Sequence, residues 1–114
     1  YSPLAQGYLT GKYRDGAKPE GSRKVLFDRL QRYEKGPAEA AINSYIDLAV
    51  ANGIDPAQLA LRFCDTRHFM ASTIIGATSM EQLKTCIDAF DLKWTQELED
   101  SVNALHLQQP SPCP

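Results

Sequence analysis

The sequence has few cysteines, and their spacing excludes two kinds of stabilising site. Cys64, Cys86 and Cys113 are odd in number and form neither a CxxC pair nor the Cys/His pattern of a zinc site. We therefore expect no disulfide framework and no bound metal. Because disulfides persist in oxidising compartments, we interpret the cysteines as reduced thiols of a cytoplasmic protein.

The sequence also lacks an excess of one charge and a long apolar run. Twelve Lys and Arg residues against fourteen Asp and Glu residues give a formal net charge of −2, so no basic field indicates a nucleic-acid partner. No apolar run approaches the about 20 residues of a membrane-spanning helix. No basic segment followed by an apolar one resembles a signal peptide. We expect neither nucleic-acid binding nor a membrane span.

What is present is the composition of one packed domain. The 114 residues are 43% hydrophobic and 23% charged, with both signs interspersed, which is typical of globular proteins. Residues 1–4 and 71–77 have the pattern of short strands, and the second is β-branched and stops at a glycine turn. Residues 7–37 collect glycine, proline and charge and predict a long loop. Four apolar residues of this loop are candidates for docking on the core: Val25, Leu26, Phe27 and Leu30.

Four helices are predicted from apolar periodicity and capping residues. Ile42, Tyr45, Ile46 and Ala49 form one apolar face of the first helix, which ends at Gly53.

Capping boxes begin the next two helices, at Asp55-Pro56-Ala57-Gln58 and at Ser79-Met80-Glu81-Gln82. The second helix is expected from Pro56 to about Thr66. The third carries a stripe of Met80, Leu83, Ile87 and Phe90. The fourth begins near Thr95, buries Leu98, Val102 and Leu105, and leads into a proline-rich tail.

The order strand, loop, two helices, strand, helix, helix is an α/β pattern that predicts a parallel sheet. Two strands do not complete such a sheet. Each predicted strand is followed by groups suited to an anion, Gly7, Gly11 and Lys12 after the first and Gly76 and Thr78 after the second. On the residues alone, a phosphate site and ordinary glycine turns are both open interpretations.

Four stretches together resemble the aldo-keto reductases, with most similarity to the Tas-type branch near the potassium-channel β subunits. They are YSPLAQGYLTGKY (residues 1–13), GSR (21–23), DPAQLALRF (55–63) and IIGATSMEQL (74–83). The resemblance implies the C-terminal part of a TIM-type (β/α)8 barrel within a longer polypeptide. It assigns residues 1–37 to the seventh strand and cofactor loop, 38–67 to helices, 71–91 to the eighth strand and adenosine-binding helix, and 95–114 to the last helix and tail.

The resemblance further implies NADPH as cofactor. The implied cofactor-binding residues are Tyr1, Ser2, Pro3, Leu4, Gln6, Gly7, Lys12, Arg23, Gly76, Thr78, Gln82, Thr85 and Cys86. In the family, the residue at Tyr1 stacks on the nicotinamide ring, and Lys12 and Arg23 would hold the diphosphate. A half-buried strand tyrosine and two solvated surface charges are the alternatives.

At the second strand, Gly76 would permit a tight turn, and Thr78 and Gln82 would contact the 2′-phosphate of the adenosine ribose. Gln82 stands where other branches have arginine, and it also suits a capping role toward Ser79. Cys86 stands where many members carry an asparagine that contacts adenine, so Thr85 is a possible substitute. NADPH remains favoured over NADH.

The family reaction implied is hydride transfer from the nicotinamide to an aldehyde or ketone. The catalytic tyrosine, lysine, aspartate and histidine come from the N-terminal half of the barrel, so no catalytic residue is expected here, and Tyr8 or His68 is not a replacement. We expect the chain to need that half as a partner and to be inactive alone. The expected substrate is a small carbonyl compound, and the sequence does not predict the oligomeric state. For residues 108–114, contact with substrate and a disordered end are both open interpretations. A nucleotide-sensing non-catalytic subunit and a truncated structural remnant are the alternatives.

Overall fold

The regular structure of the chain is helical. The computed structural model describes residues 1–27 and 31–113. The α-helices are α1 (Arg23–Phe27), α2 (Ala38–Ala51), α3 (Pro56–Asp65), α4 (Met80–Asp88) and α5 (Gln96–Gln108). Short 3-10 segments span Ala5–Thr10, Arg14–Gly16, Gln31–Glu34 and Ala89–Asp91. None of the helices in these ranges has the length and apolarity that a membrane crossing requires.

Capping side chains begin the helices as the sequence predicts. Asp55 accepts hydrogen bonds from the N–H groups of Ala57 and Gln58 at the start of α3. Ser79 and Thr95 accept equivalent bonds at the starts of α4 and α5. These caps satisfy N–H groups that have no partner within the helix, so the predicted start of α3 at Pro56 is confirmed.

The reciprocal half of each predicted capping box is wrong. Gln58 donates to the main-chain oxygen of Thr85 at 3.3 Å, which ties α3 to α4. Gln82 accepts hydrogen bonds from Thr78 instead of returning to Ser79. Each glutamine side chain therefore bonds to a residue other than the cap of its own helix, which the capping pattern does not predict.

Three apolar clusters hold these elements together. The first combines the N-terminal loops with α2 and contains Ala5, Tyr8, Tyr13, Tyr33, Ala38, Ile42 and Ile46. The second joins α2, α3 and α5 through Ala49, Leu59, Leu98 and Val102. The third joins α3 to α4 through Leu61, Cys86 and Ala89, with Leu4 and Ile75 packed against them. The third cluster therefore brings residues 1–4 and 71–77 to the same side of α3.

The two predicted strands are not strands in the described residues. Ser2 has a left-handed backbone with φ of 54° and its carbonyl accepts a turn bond from Ala5, which is incompatible with a β-ladder. Residues 72–77 follow an irregular path. Because a ladder requires two paired strands, the turn at residues 1–4 leaves this segment without its predicted partner.

Several apolar residues that the sequence places in the core are exposed. Met80 and Ile87 of α4 are 78% and 55% exposed, because the packed face is centred on Cys86. Leu83 and Phe90 of the predicted stripe are half-buried, so the packed face overlaps part of that stripe. Val25, Leu26 and Phe27 are also exposed and do not dock on a cluster. Leu30 and Pro114 lie outside the described residues.

Candidate functional site

A groove of about 1000 Å³ lies between the N-terminal loops and the segment that enters α4. Residues 2–12 and 19–23 form its loop end, and residues 74–86 form its helix end, with the start of α3 between them. Every residue that the family resemblance implies for the cofactor lines this groove, except Tyr1. The two ends of the groove therefore lie together although their nearest lining residues, Arg23 and Ile74, are 51 positions apart in the sequence.

The backbone of the loop end is held in an uncommon conformation. Ser2, Ala5 and Gln6 have left-handed φ angles of 54°, 47° and 56°, and Gly7 has φ of 102°. A left-handed backbone costs a non-glycine residue about 1–2 kcal/mol. Such strain tends to gather at functional sites, where surrounding structure compensates for it.

Gly7 allows the side chain of Lys12 to cross directly over the main chain. A Cβ atom added at Gly7 would lie 2.7 Å from Cε of Lys12 and 3.1 Å from its Nζ. The Lys12 ammonium lies 5.1 Å from the centre of the Tyr13 ring, within cation–π range. The absence of a side chain at Gly7 therefore sets where the positive charge of Lys12 stands in the groove.

Behind Arg23, four side chains connect segments that are distant in the sequence; we call Tyr8, Tyr13, Lys24 and Glu34 the tyrosine latch. The Lys24 ammonium lies 2.8 Å from the Glu34 carboxylate, and the Tyr8 hydroxyl donates to that carboxylate at 2.5 Å. The same ammonium lies 5.6 Å and 5.8 Å from the rings of Tyr8 and Tyr13. The latch therefore anchors Lys24, which directly follows Arg23 in the chain. The Arg23 side chain itself is exposed.

The latch perturbs the ionisation of its members. Burial, and then the hydrogen bond to Glu34, raise the pKa of Tyr8 to about 12. The hydrogen bond from Lys24, followed by that from Tyr8, lowers the pKa of the Glu34 carboxyl below its usual value. Tyr8 thus stays protonated at neutral pH and acts as a fixed hydrogen-bond donor, which favours a structural role.

At the helix end, Thr78 and Gln82 are bonded to each other. The Gln82 Oε1 atom accepts from the Thr78 N–H at 3.0 Å and from the Thr78 hydroxyl at 3.1 Å. Both residues are exposed. A neutral amide oxygen therefore occupies the two donors that the resemblance assigns to a phosphate.

Gly76 does not have the turn role that the sequence suggests. Its φ is not positive, and nothing lies within 4 Å of a Cβ built on it. The chain can enter α4 without a glycine conformation because Ser79 caps the helix from an extended backbone, with φ of −140°. Gly76 instead contributes open space to the groove wall.

Thr85 and Cys86 lie on the face of α4 that packs toward α3. Cys86 is buried beside Leu61 and Ala89. Burial, with a smaller contribution from the charge of Asp55, raises the pKa of the Cys86 thiol. Cys86 is therefore a neutral, mainly apolar part of the groove floor.

Tyr1 lies outside the groove and is 99% exposed. Its hydroxyl accepts a hydrogen bond from Arg32 at 3.2 Å, and the Arg32 guanidinium lies 5.7 Å from its ring centre. The alternative of a half-buried strand tyrosine is therefore wrong. His68 also lies outside the groove, with its ring edge against Phe69. Among the described residues, no group of three or more His, Cys, Asp or Glu side chains is arranged to hold a metal ion.

The charges of the groove separate its two ends. Lys12 and Arg23 stand at the loop end, with Glu20 in the same loop, and Asp55 and Glu81 lie toward the helix end. The Asp55 carboxylate is already engaged in capping α3. An anionic group is therefore best accommodated at the loop end.

Sequence reasoning missed two features of the site. Ser22 lines the groove although only Arg23 of the GSR stretch was expected to contribute. Its position between a glycine and an arginine in a matched motif was the available signal. The tyrosine latch joins residues 26 positions apart, and no local pattern indicates such a contact.

The chain matches a known protein family over most of its length. The model of the aldo/keto reductase family matches residues 1–106. The chain belongs to the aldo/keto reductase family. Since the members of this family form (β/α)8 barrels, membership implies that architecture for the complete fold, while the described residues show only helices and loops.

Three relatives show how much of an aldo/keto reductase the chain represents. It is 44% identical over 114 residues to protein tas of Escherichia coli strain K12, covering 100% of this chain and 33% of that protein. It is 36% identical over 117 residues to an aldo-keto reductase of Babesia bovis, covering 98% and 41%. It is 31% identical over 115 residues to a probable voltage-gated potassium channel subunit beta of Oryza sativa subsp. japonica, covering 96% and 35%. The chain thus spans less than half the length of each.

Proposed function

We propose that the chain is the cofactor-binding part of an NADP(H)-dependent oxidoreductase that reduces aldehydes or ketones. The observation that carries the proposal is the groove, which gathers the family's implied cofactor residues from both ends of the sequence. Its volume of about 1000 Å³ is at the upper end of the range for cofactor sites. Membership of the aldo/keto reductase family supports an oxidoreductase role.

The residues of the groove fit the polar groups of a dinucleotide. Lys12 and Arg23 offer a point charge and a planar fork of donors for the diphosphate at the loop end. Thr78 offers a main-chain N–H and a hydroxyl on the groove wall for the 2′-phosphate. Cys86 and Leu61 provide an apolar floor. NADP(H) supplies the hydride when bound, and these residues hold and orient it.

Catalysis requires groups that the chain does not supply under this proposal. The family's acid tyrosine and its lysine, aspartate and histidine partners belong to the other part of the barrel, and Tyr8 is held as a hydrogen-bond donor by the latch. We propose that the chain acts with that part, in the cytoplasm and on a small carbonyl compound, and has no activity alone. Tyr1 would join the nicotinamide end after giving up its contact with Arg32.

A non-catalytic nucleotide sensor is the second candidate. Similarity to relatives named as potassium channel β subunits favours it. Such a protein would retain the groove and use cofactor occupancy to control a partner. The two functions differ in turnover, because only the reductase would oxidise NADPH in the presence of a carbonyl compound.

The test is calorimetric titration of NADP⁺ and NAD⁺ into the protein that carries these 114 residues, with Lys12→Met as the variant. Losing the Lys12 charge should weaken NADP⁺ binding about tenfold or more, since a charge-assisted hydrogen bond contributes about 1.5–3 kcal/mol. Lys93→Met removes an exposed lysine outside the groove and should leave the affinity unchanged. Equal affinity of both variants would contradict the proposed site. NADPH oxidation with a panel of aldehydes and ketones then separates the reductase from the sensor.

A further inference from the structure

One groove residue has a buried polar atom without a hydrogen-bond partner. Ser22 is 8% exposed, and its Oγ atom is shielded from solvent and has no partner among the described residues. A buried hydroxyl without a partner costs about 1–3 kcal/mol. Buried polar groups are nearly always satisfied, so each exception calls for a physical reason.

The reason is not helix capping. Ser22 immediately precedes α1, where a serine hydroxyl ordinarily accepts from the second or third N–H of the helix. Here the main-chain oxygen of Ser22 accepts from the N–H groups of Val25 and Leu26, each at 3.0 Å. The N–H of Lys24 instead donates to the Tyr13 hydroxyl at 3.4 Å. The Ser22 side chain is thus left out of the helix start.

The surroundings of Ser22 favour an anion. The residue lines the loop end of the groove, next to Arg23 in the chain and in the same wall as Lys12. Glu20 lies in the same loop but does not accept from the hydroxyl. A serine side chain has one rotatable bond before its oxygen, so a move between staggered rotamers re-aims the hydroxyl.

We propose that the Ser22 hydroxyl donates a hydrogen bond to a diphosphate oxygen of the dinucleotide, beside Lys12 and Arg23. The proposal rests on the function proposed above and assigns to Ser22 a ligand contact at the loop end. In the ligand-free protein the hydroxyl has no partner among the described residues, so the new bond is made without breaking a bond to any of them. Binding therefore gains the full benefit of satisfying the buried group.

The chain contains its own control for this proposal. Thr73 also has a buried Oγ1 atom without a partner among the described residues, but Thr73 does not line the groove. Ser22→Ala and Thr73→Val each delete one unsatisfied hydroxyl while keeping the size of the side chain similar. Both variants should match or exceed the wild-type melting temperature, because each removes an unpaired buried polar group.

The test measures binding of three probes to the protein carrying residues 1–114: NADP⁺, inorganic pyrophosphate and adenosine 2′-monophosphate. Ser22→Ala should weaken NADP⁺ and pyrophosphate about tenfold. It should leave adenosine 2′-monophosphate unchanged, because that probe carries only the 2′-phosphate, which belongs to the helix end. Thr73→Val should bind all three as the wild type does.

The outcomes separate this inference from the proposed function. Wild-type affinity for NADP⁺ with no loss in Ser22→Ala would overturn the Ser22 contact and leave the cofactor groove standing, and a buried water would then be the partner of the hydroxyl. Loss confined to adenosine 2′-monophosphate would also overturn it, by placing the hydroxyl at the helix end. A wild-type protein that binds neither NADP⁺ nor pyrophosphate would overturn both proposals.

Discussion

The two ends of the groove, which the proposed function assigns to different phosphate groups, are built by different means. At the loop end, left-handed residues, the crossing of Lys12 over Gly7 and the tyrosine latch hold the main chain and its charges in one arrangement. At the helix end, Gly76 is unstrained and the donors of Thr78 are occupied by one exposed amide oxygen.

The difference concerns when each end loses the conformational freedom of its binding groups, during folding or on ligand binding. Groups held in position before binding lose little conformational freedom when a ligand arrives. At the loop end this conformational freedom is already lost on folding, and the main chain there is strained. The helix end must exchange a hydrogen bond when ligand binds. We therefore expect substitutions that disturb the main chain of the loop end to lower stability and binding together, and helix-end substitutions to change binding alone.

The largest effect is expected from Gly7→Ala at the loop end, and Gly76→Ala is its counterpart at the helix end. Gly7→Ala forces a side chain into φ of 102° and against Lys12, so unfolding should become easier by about 1–3 kcal/mol. Affinity for pyrophosphate should fall as Lys12 is displaced. Gly76→Ala meets open space with no positive φ and should leave the free energy of unfolding within about 0.5 kcal/mol of wild type or raise it. Urea denaturation of both variants checks this, and equal losses would remove the distinction between the ends.

A smaller effect is expected from opening the latch with Glu34→Gln. The substitution removes the ion pair with Lys24 and weakens the bond from Tyr8. Because the Glu34 side chain is 35% exposed, the loss should be about 1 kcal/mol. Asp47→Asn, in the more exposed pair with Arg14, is the matched control and should cost less.

The same carboxylate gives a pH dependence with a defined sign. The pKa of Glu34 is lower in the folded protein than its usual value, chiefly through Lys24. Its contribution to stability is therefore present above the unfolded pKa, about 4.3, and is lost as the pH falls through the lower folded pKa. Thermal melts taken from about pH 6 down to about pH 3 should show a shallower decline for Glu34→Gln than for wild type. Parallel curves would show that the latch carries no linked proton.

The smallest effect is expected at the helix end, from Gln82→Arg. The arginine removes the amide oxygen from Thr78 and adds a positive charge near it. Affinity for adenosine 2′,5′-bisphosphate should rise about threefold to tenfold, in line with one exposed charge-assisted contact. Gln82→Leu frees Thr78 without adding charge and separates the two contributions. Pyrophosphate affinity and the melting temperature should not change, and a change in either would connect the two ends.

Local signals predicted the features that depend on neighbouring residues. The start of α3 follows from Asp55 and Pro56, whose capping role requires no distant contact. The strands at residues 1–4 and 71–77 failed because pairing depends on another strand lying alongside. The same limit applies to Gln58, which bonds to Thr85 instead of its own cap.

Many of the residues that line the groove could be predicted from the family resemblance, because the matched motifs include segments from both ends of the groove. The arrangement within it was not. Whether Ser22 caps α1 depends on where the Tyr13 hydroxyl stands, and whether Gln82 contacts Ser79 or Thr78 depends on the path of residues 72–77. These are competitions between nearly equivalent hydrogen bonds, which composition and spacing do not rank.

Under the proposed function, the hydrogen bonds between Gln82 and Thr78 compete with ligand binding at the helix end. A phosphate oxygen that takes the Thr78 donors must displace the amide oxygen held 3.0 Å and 3.1 Å away. The apparent dissociation constant is then the intrinsic one divided by the fraction of molecules in which the amide has swung aside. A dinucleotide without the 2′-phosphate is free of this handicap. Under the proposed function, selectivity between the two nicotinamide cofactors would therefore depend on how readily one glutamine side chain leaves its place, as well as on the charges that surround it.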